Sequence, residues 1–97
     1  MNDLTGIKSK ISSCKAELRR DFGVKAIGIF GSYVEGKPHP RSDIDILVDF
    51  EPEPGFFKFL ELEEKLSGIL GIKVDLVTRA ALKPRIGRRI LDHIVFV

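Results

Sequence analysis

Hydrophobic positions along the chain keep three rhythms. Leu4, Ile7, Ile11, Cys14, Leu18 and Phe22 recur at spacings of three and four, which predicts an amphipathic helix from about 3 to 21. Asn2 or Asp3 is its candidate N-cap and Gly23 its stop. VKAIGIF, residues 24–30, predicts a short strand ending at Gly31. GSYVEGKPHPR carries two Gly and two Pro and is mostly loop, with room for one helical turn over 32–35. Residues 43–50 then alternate strictly. Ile44, Ile46, Val48 and Phe50 share one face, and Asp43, Asp45, Leu47 and Asp49 share the other, facing a cleft or solvent. EPEPG breaks the chain, and Phe56, Phe59, Leu62, Leu66 and Ile69 mark a second helix closed by Gly71. IKVDLVT, residues 72–78, reads as a third strand with Ile72, Val74 and Leu76 on one face and Lys73, Asp75 and Val77 on the other. Pro84 opens a short basic helix over about 84–91, and HIVFV ends the sequence as a strand or packed tail. The order α-β-β-α-β-α predicts an α/β (α+β) fold, a small mixed sheet flanked by helices.

Ninety-seven residues, 43% of them hydrophobic, suit one domain spanning 1–97 with a modest core, and a domain this small gains from a partner surface. The net charge of +2 is too near balance for bulk affinity to nucleic acid or anionic membranes, so direct nucleic-acid binding is not expected. The charges are uneven: residues 49–64 hold six acids against Lys58, and residues 79–89 hold Arg79, Lys83, Arg85, Arg88 and Arg89 with no acid. The single cysteine, Cys14, excludes an internal disulfide and a cysteine-based zinc site, and its helical position suits packing. No run approaches the ~20 apolar residues of a membrane span and no signal-peptide pattern is present, so a cytoplasmic location is expected.

The candidate chemistry lies in the carboxylates that open the second strand. Asp43 and Asp45 point the same way, about 7 Å apart along the strand axis. Two like charges held so close raise each other's pKa unless something positive lies between them. Asp75, opposite in parity to Val74 and Leu76, supplies a third carboxylate. Upstream, Gly31 lets the backbone approach a ligand, and Gly31-Ser32 at a strand-to-helix junction offers N–H groups and a hydroxyl to an anion. Mg²⁺ prefers hard oxygen ligands and shares its shell with substrate phosphates, and three converging aspartates suit a two-metal phosphoryl or nucleotidyl transfer. Asp49 shares the Asp43 face but lies some 13 Å beyond Asp45 and reads as a surface residue. Ser42 reads as a turn stabiliser; Lys37, His39 and Arg41 are loop cations, either solvated or near phosphate. Tyr33 packs beneath the loop, contacts nucleotide or accepts a nucleotidyl group. The basic run at 79–89 is solvated, meets the triphosphate or docks a partner.

GSYVEGKPHPRSDIDILV resembles the signature of the polymerase-β-type nucleotidyltransferase superfamily, and its spacing resembles that of the minimal nucleotidyltransferases, the MNT (MntA) family. The similarity extends to the N-terminal helix, to KVDLVT and to LKPRIGRRILDHIVFV. The resemblance implies a polymerase-β-like fold. It also implies an antitoxin that transfers AMP from ATP to a tyrosine of a HEPN-domain ribonuclease toxin, which is both substrate and partner. By position, Gly31 and Ser32 would hold the triphosphate, Asp43 and Asp45 two Mg²⁺ ions, and Asp75 one of these while helping to deprotonate the attacking hydroxyl. Two further readings stand beside this one: an antitoxin that neutralises by binding alone, and a nucleotidyltransferase acting on a small-molecule hydroxyl. A homo-oligomer is compatible with each.

Overall fold

The computed structural model describes residues 4–34, 43–51, 53–82 and 84–97, without the side chains of residues 32, 84–86 and 89. Helix α1 (Leu4–Phe22) leads into strand β1 (Val24–Phe30) and a 3₁₀ turn at Gly31–Tyr33. Strand β2 (Ile44–Phe50), helix α2 (Phe56–Leu70) and strand β3 (Val74–Thr78) form a crossover unit. A second 3₁₀ turn (Arg79–Ala81), helix α3 (Pro84–His93) and strand β4 (Val95–Phe96) complete the chain. The candidate cap residues Asn2 and Asp3 lie outside the described residues.

Among the described residues four strands form one mixed sheet in the order β3-β2-β1-β4. β1 runs antiparallel to β2 and to β4, whereas β2 and β3 are parallel, as a helical crossover requires. The ending HIVFV thus resolves as an edge strand, with Val97 N–H donating to Ile27 O at 2.9 Å. One face of the sheet carries the core. Ile27, Ile29, Ile44, Ile46 and Val48 are fully buried against Ile7, Ile11 and Leu18 of α1 and Leu62, Leu66 and Leu70 of α2. Cys14 packs against this cluster, and its thiol donates to Ile11 O at 3.3 Å. Gly71 takes the left-handed conformation (φ 67°) that ends α2.

Two expectations need correction. Leu47, assigned to a cleft or solvent face, is buried, and its face of the sheet is covered here: Ile94 occupies the space over Gly28, the register neighbour of Leu47 on β1. Phe56, assigned to the apolar stripe of α2, is 69% exposed, since the buried stripe runs through Leu62, Leu66 and Leu70.

The outer edge of β3 is closed by side chains rather than by another strand. Val74 N–H donates to Ser67 Oγ at 3.0 Å, and Leu76 N–H donates to Glu63 Oε2 at 3.0 Å. Glu63 and Ser67 sit four residues apart on one flank of α2, and Ser67 Oγ donates in turn to Glu63 O at 2.9 Å.

Gly28→Val should detach β4. A Cβ there falls 2.5 Å from Ile94 Cδ1 and 2.7 Å from Ile94 Cγ1. The expected cost is about 1–3 kcal/mol, read as a lowered midpoint in urea unfolding.

Candidate active site

The site grows out of sheet register. Paired residues on neighbouring strands project to the same face, and Phe30, Asp45 and Asp75 occupy one row across β1, β2 and β3. The parallel pairing of β2 with β3 therefore brings Asp45 and Asp75 side by side. Asp75 is exposed while its neighbours Val74 and Leu76 are buried, as its parity predicts. Asp43 sits just before β2, where Ile44 N–H donates to Lys73 O at 3.0 Å. Its carboxylate lies 4.0 Å from Lys73 Nζ in a solvent-exposed pair. Lys73 is the charged neighbour that sequence reasoning missed. The only signal for it was its place two residues before Asp75.

Gly31 closes the row from the β1 side. It has φ 79°, and a Cβ built there collides with the Asp45 carboxylate, so a side chain fails on both backbone strain and space. The turn then folds back on itself, with Val34 N–H donating to Gly31 O at 3.0 Å. Tyr33 packs against the core, and the loop it was expected to underlie is outside the described residues. The Ser32 side chain, Glu35, Gly36, Lys37, His39, Arg41, Ser42 and Lys83 lie outside what is described. Asp49 is on the Asp45 face four residues along, paired with Ala26, and stays apart from the acidic row. Arg79 and Arg88 are exposed.

Electrostatics single out Asp45. Its pKa is raised from 3.8 to about 6, first by burial, then by the charges of Asp75 and Asp43, and by a hydrogen bond from its neutral form to Asp75. Among the described residues no three ligands are already gathered into a metal-holding cluster, and Asp43 lies 4.0 Å from Lys73 Nζ. The donor set nonetheless fits a hard cation. The oxygens of Asp45 and Asp75 are adjacent, and their mutual repulsion is what a divalent ion relieves.

A Gly-Ser turn stands beside a strand-borne row of carboxylates, and comparison with known proteins gives the class: a nucleotidyltransferase. The family model for the nucleotidyltransferase domain matches residues 11–97. The chain is 50% identical over its full length to the protein adenylyltransferase MntA of Thermococcus cleftensis, covering 98% of that protein. Among solved structures, one described as a minimal nucleotidyltransferase superposes with a TM-score of 0.83 at 29% identity, covering 96% of this chain and 94% of that one. A toxin–antitoxin structure with AMP-PNP matches with a TM-score of 0.74 at 30% identity, covering 92% of this chain and 70% of that one. The chain belongs to the nucleotidyltransferase family, as one of its minimal, MntA-type protein adenylyltransferases.

The raised pKa of Asp45 sets a pH dependence. Between pH 3.8 and about 6 the folded chain binds a proton that the unfolded chain releases, so metal-free stability falls as pH rises through that window and stays reduced above it. Asp45→Asn removes the penalty. At pH 7.5 in EDTA it should raise stability by about 1 kcal/mol, a figure discounted for the solvent reaching this half-buried group. The gain should vanish near pH 3.5, and calorimetric melts across the range check both.

Proposed function

We propose that the chain is a Mg²⁺-dependent antitoxin that transfers AMP from ATP to a tyrosine hydroxyl of a HEPN-domain ribonuclease toxin. The observation that carries this reading is the row in which Asp45 and Asp75 stand side by side with Gly31 abutting Asp45. The toxin–antitoxin nature of the AMP-PNP-bound relative, and the protein adenylyltransferase MntA that is 50% identical to this chain, support it.

In this reading one domain spanning 1–97 acts in the cytoplasm; no described helix is long and apolar enough to cross a membrane. Gly31 and Ser32 hold the triphosphate, with Gly31 leaving the backbone open to it. Asp43 and Asp45 hold two Mg²⁺ ions, and Asp75 shares one of them. When bound, the ions supply Lewis-acid stabilisation of the phosphoryl oxygens and the leaving group. The tyrosine oxygen bonds to the α-phosphorus, the bond from that phosphorus to the bridging oxygen breaks, and pyrophosphate leaves. Asp75 takes part in removing the tyrosine proton. Most of the acceleration comes from position and charge, because phosphoryl transfer asks little covalent chemistry of the protein.

The test incubates the chain with a co-expressed HEPN-domain neighbour, ATP and Mg²⁺, and measures the neighbour's intact mass. A gain of one AMP group or a multiple is expected. Asp43→Asn/Asp45→Asn should cut the rate by on the order of 10³-fold, as when a charge-stabilising group is lost from a phosphoryl-transfer site. Binding and neutralisation without any mass gain, alike in both versions, would replace this reading with an antitoxin that acts by contact alone.

A further inference from the structure

We infer that Glu63, on α2 and remote in sequence from every residue of the acidic row, is a positioning residue that fixes Asp75 for cation binding. This rests on the reading of Asp75 as a metal ligand. In a strand, backbone groups of successive residues point to opposite edges. Lys73 O faces β2, where it accepts from Ile44 N–H at 3.0 Å, so the backbone groups of Asp75 face β2 as well. Those of Val74 and Leu76 point outward, where β3 has no neighbouring strand among the described residues. An edge strand left this way flexes and pairs adventitiously.

Here α2 takes the place of the missing strand. Glu63 Oε2 accepts from Leu76 N–H, and Ser67 Oγ accepts from Val74 N–H, each at 3.0 Å. The two contacts bracket Asp75. Its peptide is tied inward to β2, and the residues on either side of it are tied outward to α2. Glu63 is half-buried and its bond is shielded more than a surface contact would be. Under the same strand segment, Val74 and Leu76 are 2% and 5% exposed, so side-chain packing and backbone bonding act on the same two residues. The exposed Asp75 side chain is thereby carried on a backbone that cannot shift along β2. Mutual repulsion between Asp45 and Asp75 tends to push the two strands apart at this row, and Glu63 resists that displacement from the far side of β3.

Glu63→Met keeps the length and removes the acceptor; Glu63→Gln keeps an acceptor oxygen; Ser67→Ala releases only Val74. Mn²⁺ is the probe, and its binding to the metal-free full chain is followed by electron paramagnetic resonance well below each variant's melting temperature. Glu63→Met should weaken Mn²⁺ binding roughly 10-fold, the lower end of what is lost when the support of a metal ligand is removed, and Glu63→Gln should restore most of it. Amide exchange at Leu76 should accelerate in Glu63→Met and remain slow in Glu63→Gln. Should Glu63→Met fail to fold, Ser67→Ala gives the same readouts in milder form, with exchange accelerated at Val74 and Mn²⁺ binding weakened. A lowered melting temperature with unchanged Mn²⁺ affinity in the folded variants would overturn the proposal and make Glu63 purely structural. Asp75→Asn separates the two levels. If it leaves Mn²⁺ binding intact, the reading of Asp75 falls and the positioning role with it. If it weakens binding while Glu63→Met and Ser67→Ala do not, only the role of Glu63 falls.

Discussion

The candidate site depends on placing two carboxylates in one register row. Like charges directly opposite on paired strands are unfavourable, and here they are held by the parallel pairing of β2 with β3. The opposing force lies on the other face of the same strands. Ile44, Ile46, Val74 and Leu76, which alternate with the aspartates, are 0–5% exposed in the core. Sliding either strand by one residue to separate the charges would also turn its apolar side chains out of the core. Hydrophobic burial thus holds the acidic row in place.

Local features of this arrangement were legible in the sequence, and long-range ones were not. Strict alternation over 43–50 and 72–78 gave both strands within two residues and placed Asp45 and Asp75 opposite the apolar face. Spacing of three and four gave α1 and α2, with Gly23 and Gly71 marking their ends. Alternation cannot say what covers the second face of a sheet, so the burial of Leu47 beneath the neighbourhood of Ile94 went unseen. Nor does period alone fix where a buried stripe begins, which is why Phe56 was placed inside and lies outside. The closure of β3 by Glu63 and Ser67 depends on how α2 is rotated over the sheet, and that is set by packing rather than by any short motif.

Two glycines, Gly28 within β1 and Gly31 just after it, show how little space the site side of the sheet has to spare. Gly28 lies under Ile94, which lets the short β4 and the segment before it close down on β1. Gly31 lies against Asp45 and allows the chain to turn sharply at the acidic row. A side chain at either position would press on a different neighbour, the apolar cover in one case and the carboxylate in the other. β1 therefore serves as a narrow strip between the packed part of this face and the acidic row.

Within the acidic row the burden falls unequally, and the inequality follows from position. Asp43 lies beyond the end of β2, exposed and 4.0 Å from Lys73 Nζ, so its charge is solvated and partly offset. Asp75 is exposed on the edge strand. Asp45 stands at the corner between them, two residues from Asp43 along its own strand and beside Asp75 on the next, half-buried with Gly31 against it. Desolvation and both repulsions meet on that one group and raise its pKa to about 6. At neutral pH its charge is therefore held at a cost, and the position where that cost is greatest is the position where a divalent cation gains most. On the proposed reading the corner carboxylate would be where a divalent cation gains most, with the two outer aspartates as its neighbours in the sheet.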